Sequence, residues 1–365
     1  MQKIKNVTEA DVAGKRILLR ADLDVANDDT AGDINDARIR ANLPTISYLQ
    51  GQNAKVVIIS HAGRPKGAVE KKLSLAPVAA RLSALLGTPV ICASDCVGPS
   101  ARKTVSALRE GEVAVLENLR FESGEEKNDA EFARRLAEFG DIYVNEAFAN
   151  SHRTHASMVA LPALLPHFAG LHLQEEISRL SGALRPEHPA LAIIGGAKFE
   201  TKQPLIEKFL TLYDRVCVGG AIANDFLKAR GVDVKKSRVS DLPVPRGISD
   251  NPHISLPEDF VWDAEVMADI GEKTARKWSE DIARAAFVVW SGPMGIYEQG
   301  FTKGMDILAE AIIKSSCRAV IGGGDTDAAL GKHSFDSERV FLSMGGGAML
   351  QFLADGTLPG VEALR

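Results

Sequence analysis

The sequence predicts an α/β fold: two doubly wound, Rossmann-like domains with parallel sheets of the six-stranded type, joined by a hinge helix. Three observations carry this expectation. Short apolar strands alternate with helical patterns along the chain, and such alternation implies parallel sheets with helices on both faces. The alternation comes as two runs of about five strands each, with a break in character over residues 159–190. A chain of 365 residues also exceeds what one compact core usually supports.

The first run places strands at 17–20 (ILLR), 55–60 (KVVIIS), 89–92 (PVIC), 113–116 (VAVL) and 142–144 (IYV). Helical periodicity fills 38–50, 75–87 and 129–139. Val56 to Ile59 are apolar on both faces, the pattern of a buried parallel strand. The stretch ALPALLPHFAG then carries two prolines and little charge, and LHLQEEISRLSGALRPEH predicts a helix over 171–184 within a hinge segment 169–186. The second run places strands at 191–194, 216–218, 287–290, 319–321 and 340–342, with helices at 203–212, 222–230, 272–285 and 304–315. Residues 232–258 are polar and proline-rich and read mostly as loop.

Composition bounds the function. With 45% hydrophobic and 25% charged residues and a net charge of -5, the chain is of the soluble globular class and lacks the basic excess of a nucleic-acid binder. No apolar run approaches the roughly 20 residues of a membrane-spanning helix. The opening MQKIKNVTEADVAGKR has no apolar core or cleavage site, so a cytoplasmic location is expected. Cys92, Cys96, Cys217 and Cys317 do not make a disulfide framework, and the C-x3-C pair lacks a second ligand pair for zinc.

Ligands of open parallel sheets bind beyond the carboxyl ends of the strands. In the first half those ends are polar and cationic: Arg20, Asp22 and Asp24; His61 and Arg64; Glu117, Asn118 and Arg120; Asn145 and Glu146, followed by His152, Arg153 and His155. Arg38 opens the helix after the first strand. Arginine matches carboxylate and phosphate bidentately, so this recurrence implies a small, multiply anionic substrate. Strands of the second half end in glycine instead: Gly195, Gly196, Lys198 and Lys202; Gly219 and Gly220; Gly292, Gly295 and Glu298; Gly322, Gly323, Gly324, Asp325 and Thr326; and Gly345, Gly346 and Gly347. A glycine turn that opens a helix leaves backbone N–H groups facing a phosphate. None of these turns fits the Walker or the dinucleotide fingerprint, and close helix–strand packing explains any single pair equally well. Together with the two lysines they imply a nucleotide, with Asp325 and Thr326 as oxygen ligands for Mg²⁺. A lobe for a small anion and a lobe for a nucleotide describe a kinase whose domains close to react.

The motifs RADLDV, DARIRANLPTI, SHAGRPKG, LENLRF, GEEKNDAEFARRLAEFGDIYVNEAF, SHRTHAS, GGAKFETK, GPMGIYE, IGGGDT and GGGAMLQFL occur in that order. On these the chain resembles the phosphoglycerate kinase family along essentially its whole length. The resemblance implies reversible phosphoryl transfer between ATP and 3-phosphoglycerate, giving ADP and 1,3-bisphosphoglycerate, with Mg²⁺, in a monomer that engages neither nucleic acid nor membrane. It assigns Asp22, Leu23, Asp24, Arg38, His61, Arg64, Arg120, His152 and Arg153 to the triose. To the nucleotide it assigns Gly196, Lys198, Lys202, Gly219, Gly220, Glu298, Gly323, Gly324, Asp325 and Thr326, with Glu298 on the ribose and Asp325 at the metal. Arg38, Lys202 and the amides of Gly345 to Gly347 would stabilise the transferring group. The implied domains are 1–168 with a returning tail from about 353, and 187–352.

Three positions depart from the family's pattern. Asp24 stands for asparagine, Ser291 for the asparagine of Trp-Asn-Gly-Pro, and Met344 for the threonine of Ser-Thr-Gly-Gly-Gly. A degenerate paralogue that binds nucleotide or triose without turnover is the alternative these departures raise.

Overall fold

The computed structural model describes residues 4–25, 36–323, 326 and 329–365. The chain separates into two compact units, Met1–Ile177 with Thr357–Arg365, and Ser178–Gly356. The tail thus changes unit at Thr357, a few residues past the 353 read from the sequence, because the helix Gly347–Asp355 stays whole.

In the first unit six parallel strands lie in the order β3-β4-β2-β1-β5-β6. They are β1 (Arg16–Arg20), β2 (Lys55–Ile59), β3 (Val90–Cys92), β4 (Val113–Val115), β5 (Ile142–Asn145) and β6 (His167–Ala169). Helices α1 (Asp36–Gly51), α2 (Ala76–Leu86), α3 (Pro99–Ala107), α4 (Ser123–Glu126) and α5 (Ala130–Ala137) lie between them in sequence. Ile17 to Leu19 and Val56 to Ile59 are fully enclosed, which is why their sequences run apolar without alternation. The edge strand β3 is short, and its Ile91 is 40% exposed.

Helix α6 (Leu171–Ala183) contains the boundary between the units, at Ile177/Ser178. Beyond it β7 (Ala190–Ile194), β8 (Arg215–Val218), β9 (Ile254–Ser255), β12 (Phe287–Ser291), β13 (Arg318–Gly322) and β14 (Val340–Ser343) form a second parallel sheet in the order β14-β13-β12-β7-β8-β9. Strands β10 (Phe260–Asp263) and β11 (Val266–Ile270) form a separate antiparallel hairpin. Helices α7 (Phe199–Leu210), α8 (Gly220–Ala229), α9 (Arg246–Ser249), α10 (Glu272–Arg284) and α11 (Lys303–Lys314) belong to this unit. Trp278 and Trp290 are fully buried in its core beside Met294 and Met305.

Every strand expected from the sequence is present to within about one residue of each end. The sequence reading misses the last strand on one edge of each sheet, β6 and β9, together with α3 and the β10–β11 hairpin. It also opens α7 at 203, four residues late, because Pro204 looks like a first-turn proline yet lies inside the helix.

The N-terminus of α6 is held by one buried carboxylate. Glu146 Oε1 accepts from Thr45 Oγ1 (2.5 Å) and the His172 N–H (3.1 Å), and Oε2 accepts from the Leu173 N–H (3.3 Å). Thr45 Oγ1 in turn accepts from the Leu171 N–H (2.9 Å). Gly170 is glycine for the same reason, since a Cβ there would lie 1.8 Å from Glu146 Oε2. A negative group at a helix N-terminus meets both the orphan amides and the dipole.

Burial pushes the Glu146 carboxyl up to about 7, against the bonds from Thr45, His172 and Leu173 that favour its ionised form. Between the ordinary glutamate value of 4.5 and about 7 the folded chain keeps a proton that the unfolded chain releases. Its contribution to stability therefore falls as pH rises through that window and is level above it. Glu146→Gln removes the dependence. The urea midpoint of the wild type relative to that variant should drop between about pH 5 and pH 8, and a difference that stays constant would refute the assignment.

Candidate functional site

The carboxyl ends of β1, β2, β4 and β5 gather the polar residues of the first unit. Asp22 is buried and accepts from Arg38 Nη1 (3.2 Å) and Asn150 Nδ2 (3.1 Å). The Asn42 amide ties this loop to α1 by donating to the carbonyls of Asp22 (3.0 Å) and Arg38 (2.7 Å). Leu23 is fully buried in the core, its N–H donating to Ser60 Oγ (3.0 Å) and its carbonyl accepting from the Val25 N–H (2.9 Å), so it shapes the loop through packing. Asp24 Oδ1 accepts the Gly63 N–H (2.9 Å), while Oδ2 lies 3.5 Å from His61 Nε2.

His61 is 1% exposed, with Nδ1 3.0 Å from Arg20 Nη2 and no hydrogen-bond partner at Nε2. Arg120 is 3% exposed and donates from Nη1 to the Gly63 carbonyl (2.5 Å). Arg153 donates from Nε to His152 Nε2 (3.3 Å), and the Nδ1 of His152 is buried. Arg64 is exposed.

Electrostatic coupling shows that these groups share one neighbourhood. Burial first, then Arg20, Arg153, His155 and Arg38, push His61 well below the ordinary histidine range. His155 is pushed down to about 4 by burial and then by Arg20, and burial lowers His152. Arg153 is lowered by burial and by Arg64, with Asp24 pulling the other way. At neutral pH these three histidines are therefore uncharged. The positive potential comes from arginines, and what the histidines add is N–H groups.

Three contributors, Glu125, Asn150 and Ser157, were not singled out by sequence reasoning. Arg20, which the sequence places among the strand-end cations without assigning it to the triose, is 1% exposed and belongs to the floor of the site. Its Nε donates to Ser157 Oγ (3.0 Å), which donates to Glu125 Oε1 (2.6 Å). Asn150 orients Asp22. Arg20 carries a positional signal, since it follows an apolar strand; Glu125, Asn150 and Ser157 carry none.

In the second unit a cavity of about 280 Å³ opens beyond β7, β8 and β12, lined by Gly196, Gly220, Asn224, Met267, Pro293 and Glu298 among others. Gly196 has φ +100°, a conformation that only glycine adopts without strain. Gly219 does not line this cavity: a Cβ there would lie 2.4 Å from Met294 Sδ, so it serves close packing. Lys198 is the exposed N-cap residue of α7. Lys202 is buried, and its Nζ donates to Ser291 Oγ (2.9 Å) and the Ser291 carbonyl (3.4 Å).

Thr326 is fully buried, and its hydroxyl accepts from the Gly292 N–H (2.8 Å) and donates to the Gly322 carbonyl (3.2 Å). It thereby staples the ends of β12 and β13. Gly323 lies in the same turn with φ +115°, whereas Gly324 and Asp325 lie outside the described residues. Gly345 donates its N–H to Ser343 Oγ (3.2 Å), which takes one of the three expected amides. Gly346, with φ +52°, caps the helix that begins at Gly347.

Among the described residues no group of three or more His, Cys, Asp and Glu could hold a metal ion. The four cysteines are free thiols, and Cys96 bonds to the carbonyls of Glu117 and Asn118. No described helix is long and apolar enough to cross a membrane.

Comparison with known proteins gives one consistent result. The family model "Phosphoglycerate kinase" matches residues 7–356. The chain is 42% identical to the phosphoglycerate kinase of Pelotomaculum thermopropionicum, over 99% of this chain and 98% of that one. It is also 42% identical to that of Moorella thermoacetica, over 98% of each. Two solved structures are similar over nearly the full length. The Coxiella burnetii phosphoglycerate kinase has TM-score 0.84 and 35% identity, covering 99% of both chains. The Pyrococcus horikoshii enzyme has TM-score 0.86 and 32% identity, covering 99% of this chain and 98% of its own. With a matching family model, relatives of this identity and two full-length structural likenesses, the chain belongs to the phosphoglycerate kinase family.

Proposed function

We propose that this chain catalyses reversible phosphoryl transfer between ATP and the carboxyl group of 3-phosphoglycerate, yielding ADP and 1,3-bisphosphoglycerate. The observation that carries the reading is the arginine cluster at the strand ends of the first unit, with the buried Nε2 of His61 unpartnered beside it. A substrate bearing both a phosphate and a carboxylate meets all of it. Arg64, Arg120 and Arg153 take the anionic ends, Asp22 and Asp24 the hydroxyl, and His61 and His152 orient through N–H groups.

The second unit takes the nucleotide in the cavity lined by Gly196 and Gly220, with Glu298 on the ribose and Lys198 and Lys202 on the phosphates. Gly323, Gly324, Asp325 and Thr326 are assigned to the phosphates, and Thr326 contributes by tying Gly292 to the end of β13. Mg²⁺ bound through nucleotide phosphates needs only one or two protein carboxylates, and Asp325 is the residue that would hold it. When bound, the ion neutralises charge on the phosphate oxygens.

A transferring phosphoryl group needs alignment and compensation for its spread negative charge rather than covalent help. Arg38 and Lys202 supply charge, and the amides of Gly346 and Gly347 supply dipoles at a helix N-terminus. In-line transfer then requires the triose-bearing and nucleotide-bearing units to close together, which also keeps water from the acyl phosphate. No proton moves at the reacting centre, in keeping with histidines that stay neutral.

Turnover of 3-phosphoglycerate with Mg·ATP, followed through a coupled dehydrogenase, tests the reading. The wild type should consume ATP only with the triose present, and Arg38→Ala should lower kcat by about 10²- to 10³-fold. Binding of both substrates without turnover would overturn the kinase reading in favour of a degenerate paralogue. Asp24 gives a separate prediction. Replacing its carboxylate by an amide keeps an oxygen for the Gly63 N–H and removes an anion beside the triose. KM for 3-phosphoglycerate should therefore fall about three- to ten-fold in Asp24→Asn, and an unchanged or higher KM would count against the placement.

A further inference from the structure

We propose that Arg20 is a positioning residue: its guanidinium fixes the tautomer of His61, so that the ring presents an Nε2–H to the bound anion. This rests on the reading of the first unit's cluster as the triose site.

The argument starts from what each group is able to do. A guanidinium has five donors and no acceptor, and it stays protonated in proteins. A neutral imidazole has one donor and one acceptor nitrogen. Arg20 Nη2 lies 3.0 Å from His61 Nδ1 in a buried setting, so Nδ1 must carry the lone pair. The proton is then on Nε2. That nitrogen is buried and has no hydrogen-bond partner, and Asp24 Oδ2 lies 3.5 Å from it. An unsatisfied buried donor is costly, and here it is left for a ligand oxygen.

Arg20 itself has little freedom. Nε donates to Ser157 Oγ (3.0 Å) and Nη1 to the Ala21 carbonyl (2.5 Å), which leaves Nη2 for the imidazole. Ser157 is held in turn by Glu125, through its hydroxyl (2.6 Å) and its N–H (3.0 Å), and its carbonyl accepts from Tyr143 OH (2.8 Å). Arg20, Glu125, Tyr143 and Ser157 are all buried. A relay of fixed polarity thus runs from the Glu125 carboxylate through Ser157 and Arg20 to His61, each member having one way to orient. The burial and neighbouring cations that keep His61 neutral agree with this arrangement.

The test is a long-range ¹H–¹⁵N correlation spectrum of the full chain labelled at histidine nitrogen, near pH 7 without ligand. The His61 signals are assigned by their loss in His61→Asn. A pyrrole-like Nε2 and a pyridine-like Nδ1 are expected. The opposite tautomer, or an imidazolium, overturns the proposal, and this holds even if no Arg20 variant folds. In Arg20→Lys one compact ammonium replaces the fork and cannot serve Ser157, Ala21 and His61 together. The two tautomers of His61 should then mix, and KM for 3-phosphoglycerate should rise about ten-fold or more, with KM for ATP unchanged. An unaltered tautomer with unaltered KM in that variant overturns the proposal. If the wild-type tautomer is as stated but added 3-phosphoglycerate leaves the His61 signals unmoved, the tautomer assignment is supported and the triose reading is what fails.

Discussion

A buried arginine and a buried glutamate, bridged by one hydroxyl, set the floor of the first unit. Arg20 and Glu125 are both buried, and Ser157 Oγ stands between them, accepting from one and donating to the other. Buried ionisable groups are poor sources of stability, because desolvation offsets their attraction. What this arrangement supplies is geometry. Burial raises the Glu125 carboxyl above its ordinary range, while Arg20 and the two bonds from Ser157 pull it back toward ionisation. The guanidinium is thereby committed on three sides, and the loops after β1, β2 and β5 are referenced to a single rigid group.

The parts of the fold legible in the sequence are those in which burial leaves a one-dimensional trace. Central strands such as Lys55–Ile59 are apolar on both faces and were found to within a residue. The edges were not. Strand β9 has two residues, and β6 has three, of which only Ala169 is buried, so neither is long enough to show a period. The hairpin of Phe260–Asp263 with Val266–Ile270 lies apart from the main sheets, and its Val261 and Trp262 are exposed.

The site was legible as residue types and not as contacts. Arginine after arginine at strand ends pointed to an anion, and Arg38, Arg64 and Arg153 do share a neighbourhood with His61 and Asp24. Glycine was more ambiguous. Gly196 and Gly220 line a cavity while Gly219 packs on Met294, although all three sit in similar turns. A glycine that admits a ligand and one that admits a neighbouring side chain look identical in a sequence. Only the third dimension separates them.

Two departures from the family's pattern are absorbed locally. Ser291 offers a hydroxyl to Lys202 Nζ at 2.9 Å, so a shorter side chain still holds the buried ammonium. Asp24 uses one oxygen on the Gly63 N–H and turns the other toward His61. An aspartate in this position is tolerable because the surrounding cations outnumber the acids, and because His61 is held as a donor on the side that faces it. With the ring reversed, the lone pair of Nε2 would face the Asp24 carboxylate, and Arg20 would face an N–H. Both contacts would be repulsive, but only Arg20, at 3.0 Å against 3.5 Å for Asp24, is within hydrogen-bond reach, so the guanidinium sets the tautomer and the carboxylate is compatible with it.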